Sequence, residues 1–134
     1  MRERTRATRL RIYLGERDRW RGHGLAWAIT CAARDHGLAG ATVLRGIDGY
    51  GYGVDRSIHT QRPFSFSSDL PLMVEIIDVP EQIEAFLPVV ESMLGGGLAT
   101  TEPVEAIFYR RGQTQARPTG QGAWDGRPGP PPGD

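Results

Sequence analysis

One loop of the sequence carries two arginines and a histidine at intervals of three residues, which could form a cationic cluster. Arg56, His59 and Arg62 lie in YGVDRSIHTQRPFSFSS, residues 52–68. Such groups bind phosphate, bicarbonate or an acidic protein surface through charge-assisted hydrogen bonds, although ordinary solvation is the alternative. Loops longer than about 12–15 residues are usually functional or disordered, and we expect function here. Phe64 and Phe66 either anchor a partner or pack under the returning strand.

A glycine-rich turn, GIDGYGYG at residues 46–53, precedes this loop. Backbone without Cβ atoms lets N–H groups approach an anion closely. No helix follows the turn, so it is not a dinucleotide fingerprint, and a plain structural turn is the alternative. Arg45 stands directly before it in an apolar strand. This arginine either pairs with Glu75 or Asp48 across the sheet or faces an anion.

Metal binding and catalysis find little support in the residue pattern. His23, His36 and His59 are widely spaced and Cys31 is the only thiol, which is poor spacing for metal ligands. The carboxylates form no evident acid–base pair, and no serine stands in a nucleophile elbow. We therefore expect a protein that is not an enzyme, with no obligatory cofactor and no metal site.

The composition limits the partners and the compartment. Sixteen basic residues balance sixteen acidic residues, so the net charge does not favour nucleic acid and any anion site must be local. A single cysteine fits a reducing compartment. No apolar run approaches the roughly 20 residues of a membrane span, and the arginine-rich start lacks the apolar stretch of a secretory signal. We expect a cytoplasmic protein.

Between two polar tails, segments in which apolar residues recur every second residue, as in strands, alternate with segments in which they recur about every 3.6 residues, as in helices. Residues 1–7 are expected to be flexible, residues 8–111 to form one domain, and residues 112–134 to be a disordered tail rich in glycine and proline. Strands are predicted at 8–15, 41–47, 69–78 and 100–110. A helix is predicted within 22–36, and a second helix begins with Asp78 as N-cap and Pro80 in its first turn.

The order βαββαβ predicts an α+β ferredoxin-like sandwich, in which a four-stranded antiparallel sheet carries two helices on one face. The other face would expose Met73, Ile77 and Ile107. Because a contiguous apolar face usually marks a partner surface, we expect a cyclic homo-oligomer with its sheets turned inward.

Three segments, GIDGYGYG, DLPLMVEIIDVPEQIEAFLPVVESML and GGLATTEPVEAIFYRRG, resemble the PII superfamily of signalling proteins, and GATVLRGIDGYG resembles its domain of unknown function 190 branch. The resemblance covers about residues 8–111. It implies a PII-like homotrimer with an adenine-nucleotide pocket between neighbouring subunits. It also implies a T-loop, here about residues 52–68, that contacts a membrane transporter or channel, with a fluoride channel suggested by this branch.

The resemblance also implies site residues. The turn Gly49-Tyr50-Gly51 matches the glycine–aromatic–glycine that opens the T-loop, and Gly95, Gly96 and Gly97 fall where a phosphate-binding loop ends. The nucleotide-binding set implied in this way is Arg45, Gly46, Gly49, Tyr50, Gly51, Gly95, Gly96, Gly97, Arg110 and Arg111. The set implied for anion or partner contact in the T-loop is Arg56, His59, Arg62 and Phe64.

Two departures from the superfamily pattern affect the expected ligand. Gly53 stands where classical members carry a glutamine that organises Mg-ATP and 2-oxoglutarate, and the short loop LGGGLATT lacks the family's lysine. A less charged ligand, such as AMP, ADP or a cyclic adenine nucleotide, is therefore expected. The alternatives are a constitutive trimeric interaction module without a small ligand and a divalent-metal-binding trimer in which His23 and His59 converge.

Overall fold

The computed structural model describes residues 2–51, 59–60 and 70–109. The long strands are β1 (Arg2–Gly15), β4 (Thr42–Arg45), β7 (Pro71–Asp78) and β8 (Leu98–Tyr109). The helices are α1 (Leu25–Asp35) and α2 (Pro80–Met93). Two short strand pairs complete the chain, β2 (Arg19–Trp20) with β3 (His23–Gly24) and β5 (Asp48–Gly49) with β6 (His59–Thr60).

The sheet has the order β4-β7-β1-β8, and its neighbours are antiparallel. Alternate residues of β1 and β7 are apolar, so one face of the sheet can be covered by helices. Leu10, Ile12 and Leu14 are buried on that face with Val74 and Ile76. The same core contains the stripes of both helices, which places α1 and α2 on one side. The predicted α+β ferredoxin-like sandwich is confirmed.

The helix stripes arise from apolar residues spaced three and four apart. In α1 the buried set includes Leu25, Ile29 and Cys31, and in α2 it includes Ile83 and Phe86. Phe86 is 1% exposed, so its replacement by alanine would cost about 3–5 kcal/mol. The helix α2 continues through Pro88 to Met93.

The end of α1 is fixed by a glycine in the left-handed region. Gly37 has a φ of 79°, its N–H donates to the carbonyl of Arg34, and the N–H of Leu38 donates to the carbonyl of Ala33. These two hydrogen bonds form a Schellman motif. The helix predicted within residues 22–36 is confirmed, and Gly37 fixes its end.

Asp78 does not cap α2, contrary to the prediction. It is the last residue of β7, and Val79 flanks the helix before Pro80. Its fully buried carboxylate instead accepts hydrogen bonds from the N–H groups of Ala39, at 2.9 Å, and Val79, at 2.7 Å. The carboxylate therefore ties the segment before β4 to the start of α2.

The first strand begins six residues before its predicted start. Residues 1–7 were expected to be flexible, whereas in the structure β1 starts at Arg2 and pairs with β8 from Arg2–Tyr109 to Tyr13–Leu98. Pairing with β7 stops at Thr8–Asp78. The first half of β1 and the second half of β8 thus form a two-stranded ribbon beyond the sheet.

The helix-free sheet face carries charges as well as apolar groups. Met73 and Ile77 lie on it as predicted, because they pair with Tyr13 and Arg9 on the odd-numbered side of β1. Ile107 does not lie on it: it pairs with Arg4, on the even-numbered side. The residues of β8 that share this face include Val104, Ala106 and Phe108.

Candidate functional site

Several predicted site segments meet at one end of the sheet, which we call the loop end. Gly15 pairs with Pro71 there, so the end of β1 lies beside the strand that follows the long loop. Arg45 at the end of β4 pairs with Leu72, and Leu98 at the start of β8 pairs with Tyr13. The turn after β4 and the loop before β8 therefore leave the sheet at the same end.

Arg45 is held at the loop end by an acidic residue that the sequence patterns did not indicate. Its Nη2 lies 2.7 Å from Oε1 of Glu16, the residue after β1, and its side chain is 57% exposed. The predicted partners Glu75 and Asp48 are wrong. Arg45 pairs with Leu72 on the helix side of the sheet, whereas Glu75 lies on the helix-free face and pairs with Arg11. The exposed guanidinium retains donors that can reach an anion.

Two glycines of the turn are required by packing against Pro71. A Cβ atom on Gly46 would lie 2.7 Å from Cγ of Pro71, and one on Gly49 would lie 2.9 Å from the same atom. The N–H of Gly46 also donates to the carbonyl of Pro71 at 2.7 Å. These glycines let the turn close over the strand after the loop, and this role is independent of any ligand.

The next part of the turn is open. Gly51 has a φ of 97° and no heavy atom within 4 Å of an added Cβ, so it requires glycine for conformation and leaves its backbone accessible. Tyr50 is 57% exposed. An exposed aromatic ring beside an accessible backbone can stack on a base while N–H groups bind polar atoms.

The glycines before β8 form a second open segment at the loop end. Gly95, Gly96 and Gly97 are exposed, and an added Cβ would meet nothing within 4 Å at Gly95 and Gly96. Gly97 has a φ of 136°. The segment has the backbone access that a phosphate-binding loop needs.

The remaining predicted residues are distributed differently. The backbone of His59 pairs with Gly49, which places β6 beside the turn. Arg56, Arg62, Phe64, Arg110 and Arg111 lie outside the described residues. Arg110 directly follows Tyr109, whose pairing with Arg2 puts it at the opposite end of β8. Twelve residues of β8 span about 36 Å at roughly 3.3 Å per residue.

Ion pairs organise the helix-free face next to the loop end. Nε of Arg11 lies 2.8 Å from Oε2 of Glu75, and Arg9 pairs with Glu102. The hydrogen bond to Glu75 is the main cause that raises the pKa of the Arg11 guanidinium above its ordinary value, against an opposing effect of burial. This face is therefore less uniformly apolar than the sequence suggested.

A groove of about 830 Å³ lies away from the predicted site, between the ribbon and the start of α2. Its walls include Arg6, Ala7 and Pro80, and none of the predicted site residues lines it. Within residues 2–51 and 70–109, no group of three or more histidine, cysteine, aspartate or glutamate side chains could hold a metal ion. In the same part of the chain, no helix is long and apolar enough to cross a membrane.

The chain matches a described family, and relatives of similar sequence are found in other organisms. The model of DUF190, described as "Uncharacterized ACR", matches residues 7–106. A UPF0166 protein of Aquifex aeolicus is 38% identical over 99 residues, which are 74% of this chain and 91% of the relative. A UPF0166 protein of Methanocaldococcus jannaschii is 37% identical over 79 residues, which are 59% and 70% of the two chains.

Solved structures of CPII, a nitrogen regulatory PII-like protein from Thiomonas intermedia K12, are also similar. The form bound to ADP, AMP and bicarbonate is 17% identical with a TM-score of 0.49, and the match covers 78% of this chain and 91% of CPII. The apo form is 16% identical with a TM-score of 0.46, and the match covers 81% and 100% of the two chains.

The four-stranded antiparallel sheet and the two helices on one of its faces define an α+β protein of ferredoxin-like fold. More specifically, the chain belongs to the DUF190 family. The predicted membership in this branch is confirmed.

Proposed function

We propose that this protein is a non-enzymatic, PII-like regulator that binds an adenine nucleotide between the subunits of a homotrimer. The expected ligands are AMP, ADP or a cyclic adenine nucleotide. Occupancy of the cleft changes the state of residues 52–68, which act as a T-loop on a membrane channel or transporter. A ligand drives this change only through different affinities for the two loop states.

One observation carries the proposal. Arg45, Tyr50 and the open glycines lie at the loop end, whereas Tyr109 lies at the far end of β8. Within one chain, Tyr109, the residue that precedes Arg110 in the sequence, is separated from the loop end by the length of β8, about 36 Å at roughly 3.3 Å per residue, which is far longer than a nucleotide. The set forms one site only when β8 of a neighbouring copy ends beside the loop end of the first.

The helix-free sheet face supports assembly through that face. It combines Tyr13, Met73 and Leu44 with the Arg11–Glu75 and Arg9–Glu102 pairs. Leu44 is 52% exposed in the single chain. Apolar area of this kind gains roughly 25 cal/mol per Å² when it is covered, and the ion pairs fix the orientation of the neighbours.

The test has two stages. Sedimentation equilibrium measures the oligomeric state, and calorimetric titration with AMP, ADP, ATP, cyclic adenine nucleotides and bicarbonate measures binding. We expect three chains per particle and adenine-dependent heat. A stable single chain at micromolar concentration, or no heat with any nucleotide, contradicts the proposal.

Mixed oligomers test the composite site directly. An Arg110→Ala/Arg111→Ala chain and a Gly51→Val chain should each lose binding as pure oligomers. Co-expressed with separate tags, they form mixed trimers in which one cleft receives both intact parts, so binding returns at one site per particle. If the mixture stays inactive while both parents remain trimeric, the contacts do not come from two chains.

A constitutive interaction module is the second candidate, and two observations favour it. Gly46 and Gly49 are explained by Pro71, and Arg45 already has Glu16 as a partner, so neither feature requires a ligand. A pull-down of the membrane target that is indifferent to added nucleotide would favour this candidate. A pull-down that changes with AMP or ADP would favour the regulator.

A further inference from the structure

The short hairpin between β1 and α1 presents arginines outward at the loop end. We call residues 17–24 the arginine hairpin; it contains the β2–β3 pair and the two-residue turn Arg21-Gly22. The side chains of Arg17, Arg19 and Arg21 are exposed. The chain has no net charge, so these cations form a local positive patch on a neutral molecule.

The charges of Arg19 and Arg21 are directed at neutral partners. Arg19 donates to the carbonyl of Gly22 at 2.8 Å, and the guanidinium of Arg21 lies 4.4 Å from the ring centre of Trp20. The nearby carboxylate of Asp18 accepts the N–H of Gly15 at 2.9 Å. A guanidinium that is stacked or bound to a carbonyl keeps its full charge and most of its donors for an external anion.

The hairpin is a rigid feature of the fold. Trp20 packs against the hydrophobic core, and the N–H of Leu25 donates to the carbonyl of Asp18 at 2.8 Å. Arg21 and Gly22 have φ values of 47° and 82°, as the tight type I′ turn requires. Asparagine or glycine fits the first of these positions better than arginine, so the chain holds a cation at the tip against its backbone preference.

Exposed apolar side chains lie at the same end of the molecule. In the turn that follows β4, Ile47 is 69% exposed and Tyr50 is 57% exposed. This turn is joined to the end of β1 through Arg45 and Glu16, and the arginine hairpin begins at the next residue. The loop end therefore combines cations with an isoleucine and a tyrosine.

This combination fits one kind of surface. Nucleic acid attracts arginines but presents no continuous apolar layer beside its phosphates, whereas the interface of a lipid bilayer accommodates both the cations and the isoleucine. Anionic headgroups attract arginines, and aliphatic and aromatic side chains enter the boundary below them. We propose that the loop end docks on a bilayer that contains anionic lipids, with the arginine hairpin on the headgroups and Ile47 below them.

The proposal does not depend on nucleotide binding, because the arginine hairpin is outside the candidate nucleotide site. It would bring the turn at Tyr50 and Gly51, which precedes residues 52–68 in the sequence, to the membrane surface. Reversible docking of this kind requires no membrane-spanning segment. Each arginine close to an anionic surface contributes roughly a fivefold change in partitioning.

Flotation with lipid vesicles tests the proposal. The full chain is mixed with vesicles of phosphatidylcholine alone or of phosphatidylcholine with 30% phosphatidylglycerol. The salt concentration is varied over about 0.03–0.5 M NaCl, because ionic screening weakens the attraction of a cation to a charged surface. We expect flotation only with the anionic vesicles and loss of binding as salt rises. An Arg19→Ser/Arg21→Asn variant should bind about 25-fold more weakly, and Ile47→Ser should weaken binding several-fold.

Controls separate this docking from general charge. An Arg34→Ser variant removes an exposed charge from the last turn of α1, away from the arginine hairpin, and should float like the unmodified chain. Arg19→Lys/Arg21→Lys keeps the charge and should retain binding, which distinguishes lost contact from misfolding. Failure to float with anionic vesicles at low salt, or flotation unaffected by the Ser/Asn variant, overturns the proposal. Binding to a polyglutamate peptide without binding to vesicles also overturns it, in favour of an acidic protein partner.

Discussion

Arg45 and Glu16 form an ion pair, with Nη2 and Oε1 2.7 Å apart, that joins the end of β4 to the residue after β1. The N–H of Glu16 also donates to the carbonyl of Leu70 at 2.9 Å. One residue therefore contacts the candidate anion-binding arginine and the chain that returns from residues 52–69. An anionic ligand that approaches Arg45 competes with Glu16.

Replacement of this carboxylate should strengthen the binding of an anionic nucleotide. In Glu16→Gln, Arg45 loses its charged partner and the local negative charge is removed. We expect nucleotide affinity to rise by at most about 5-fold, since exposed pairs contribute about 0.2–1 kcal/mol. Titration calorimetry with ADP measures this change. Glu81→Gln removes the same charge from the exposed start of α2 and should leave affinity unchanged. If Glu16→Gln binds ADP no more tightly than the unmodified chain does, Glu16 does not compete with the nucleotide for Arg45.

Gly46 should tolerate a methyl group poorly. Its Cβ would lie 2.7 Å from Cγ of Pro71, and relief of this overlap requires movement of the ring or of the turn. We expect Gly46→Ala to lower the free energy of unfolding by about 1–3 kcal/mol, measured by urea denaturation.

Gly40→Ala is the matched control for that substitution. An added Cβ at Gly40 meets nothing within 4 Å, so this variant should have the stability of the unmodified chain or a slightly higher one. Equal stabilities of the two variants would mean that the turn is not closely packed on Pro71.

The Asp78 carboxylate should be replaceable only by another acceptor. Asp78→Ala leaves the N–H groups of Ala39 and Val79 without this partner in a partly buried site, which costs about 1–3 kcal/mol in total. Asp78→Asn retains one acceptor and should cost less. Amide hydrogen exchange at Ala39 is the specific measurement. In Asp78→Ala the exchange rate at Ala39 should increase by more than the loss of global stability of that variant accounts for. Unchanged protection at Ala39 in Asp78→Ala would exclude this role.

The Arg11–Glu75 pair should control assembly more than folding of the single chain. In Arg11→Met, the Glu75 carboxylate stays on the helix-free face without its partner, and enclosure by a neighbouring subunit becomes costly. We expect the trimer to dissociate at least 10-fold more readily in sedimentation equilibrium. Arg11→Met/Glu75→Leu should restore assembly because no charge remains to be desolvated.

The pH dependence of this pair follows from the raised pKa of Arg11. A guanidinium whose pKa is higher in the folded state stabilises that state at every pH below its unfolded value. Arg11 should therefore not cause loss of assembly between pH 7 and about 10, where arginine remains charged. If Arg11→Met and Arg11→Met/Glu75→Leu trimers dissociate to the same extent, an unpaired Glu75 carboxylate is not what weakens assembly.

The amino-acid sequence was sufficient to predict the sheet, both helices and the faces that they bury. Leu10, Ile12 and Leu14 alternate with polar residues, and Ile83, Phe86 and Val90 recur at helical spacing. These patterns are local and reflect burial directly. The early residues RERTRA carry no such alternation, so the ribbon was missed: its pairing comes from β8, more than 90 residues away.

The candidate site was only partly predictable for the same reason. The glycine turn is visible in the sequence, and its resemblance to the PII superfamily indicated a ligand role. The contact of Gly46 with Pro71 and the pairing of Arg45 with Glu16 join distant segments, and no periodicity reports them. The sequence shows a glutamate, Glu16, directly after the first strand. Only the strand register reveals that this residue lies beside Arg45.

The position of β1 between β7 and β8 has a consequence for synthesis of the chain. The first strand leaves the ribosome before either of its partners, and its apolar residues must wait for residues 71–78 and then 98–109 before the sheet is complete. Completion of the sheet is therefore expected to be limited by the closure of these distant contacts. During that interval the exposed segment around Leu10, Ile12 and Leu14 is a natural binding site for a chaperone.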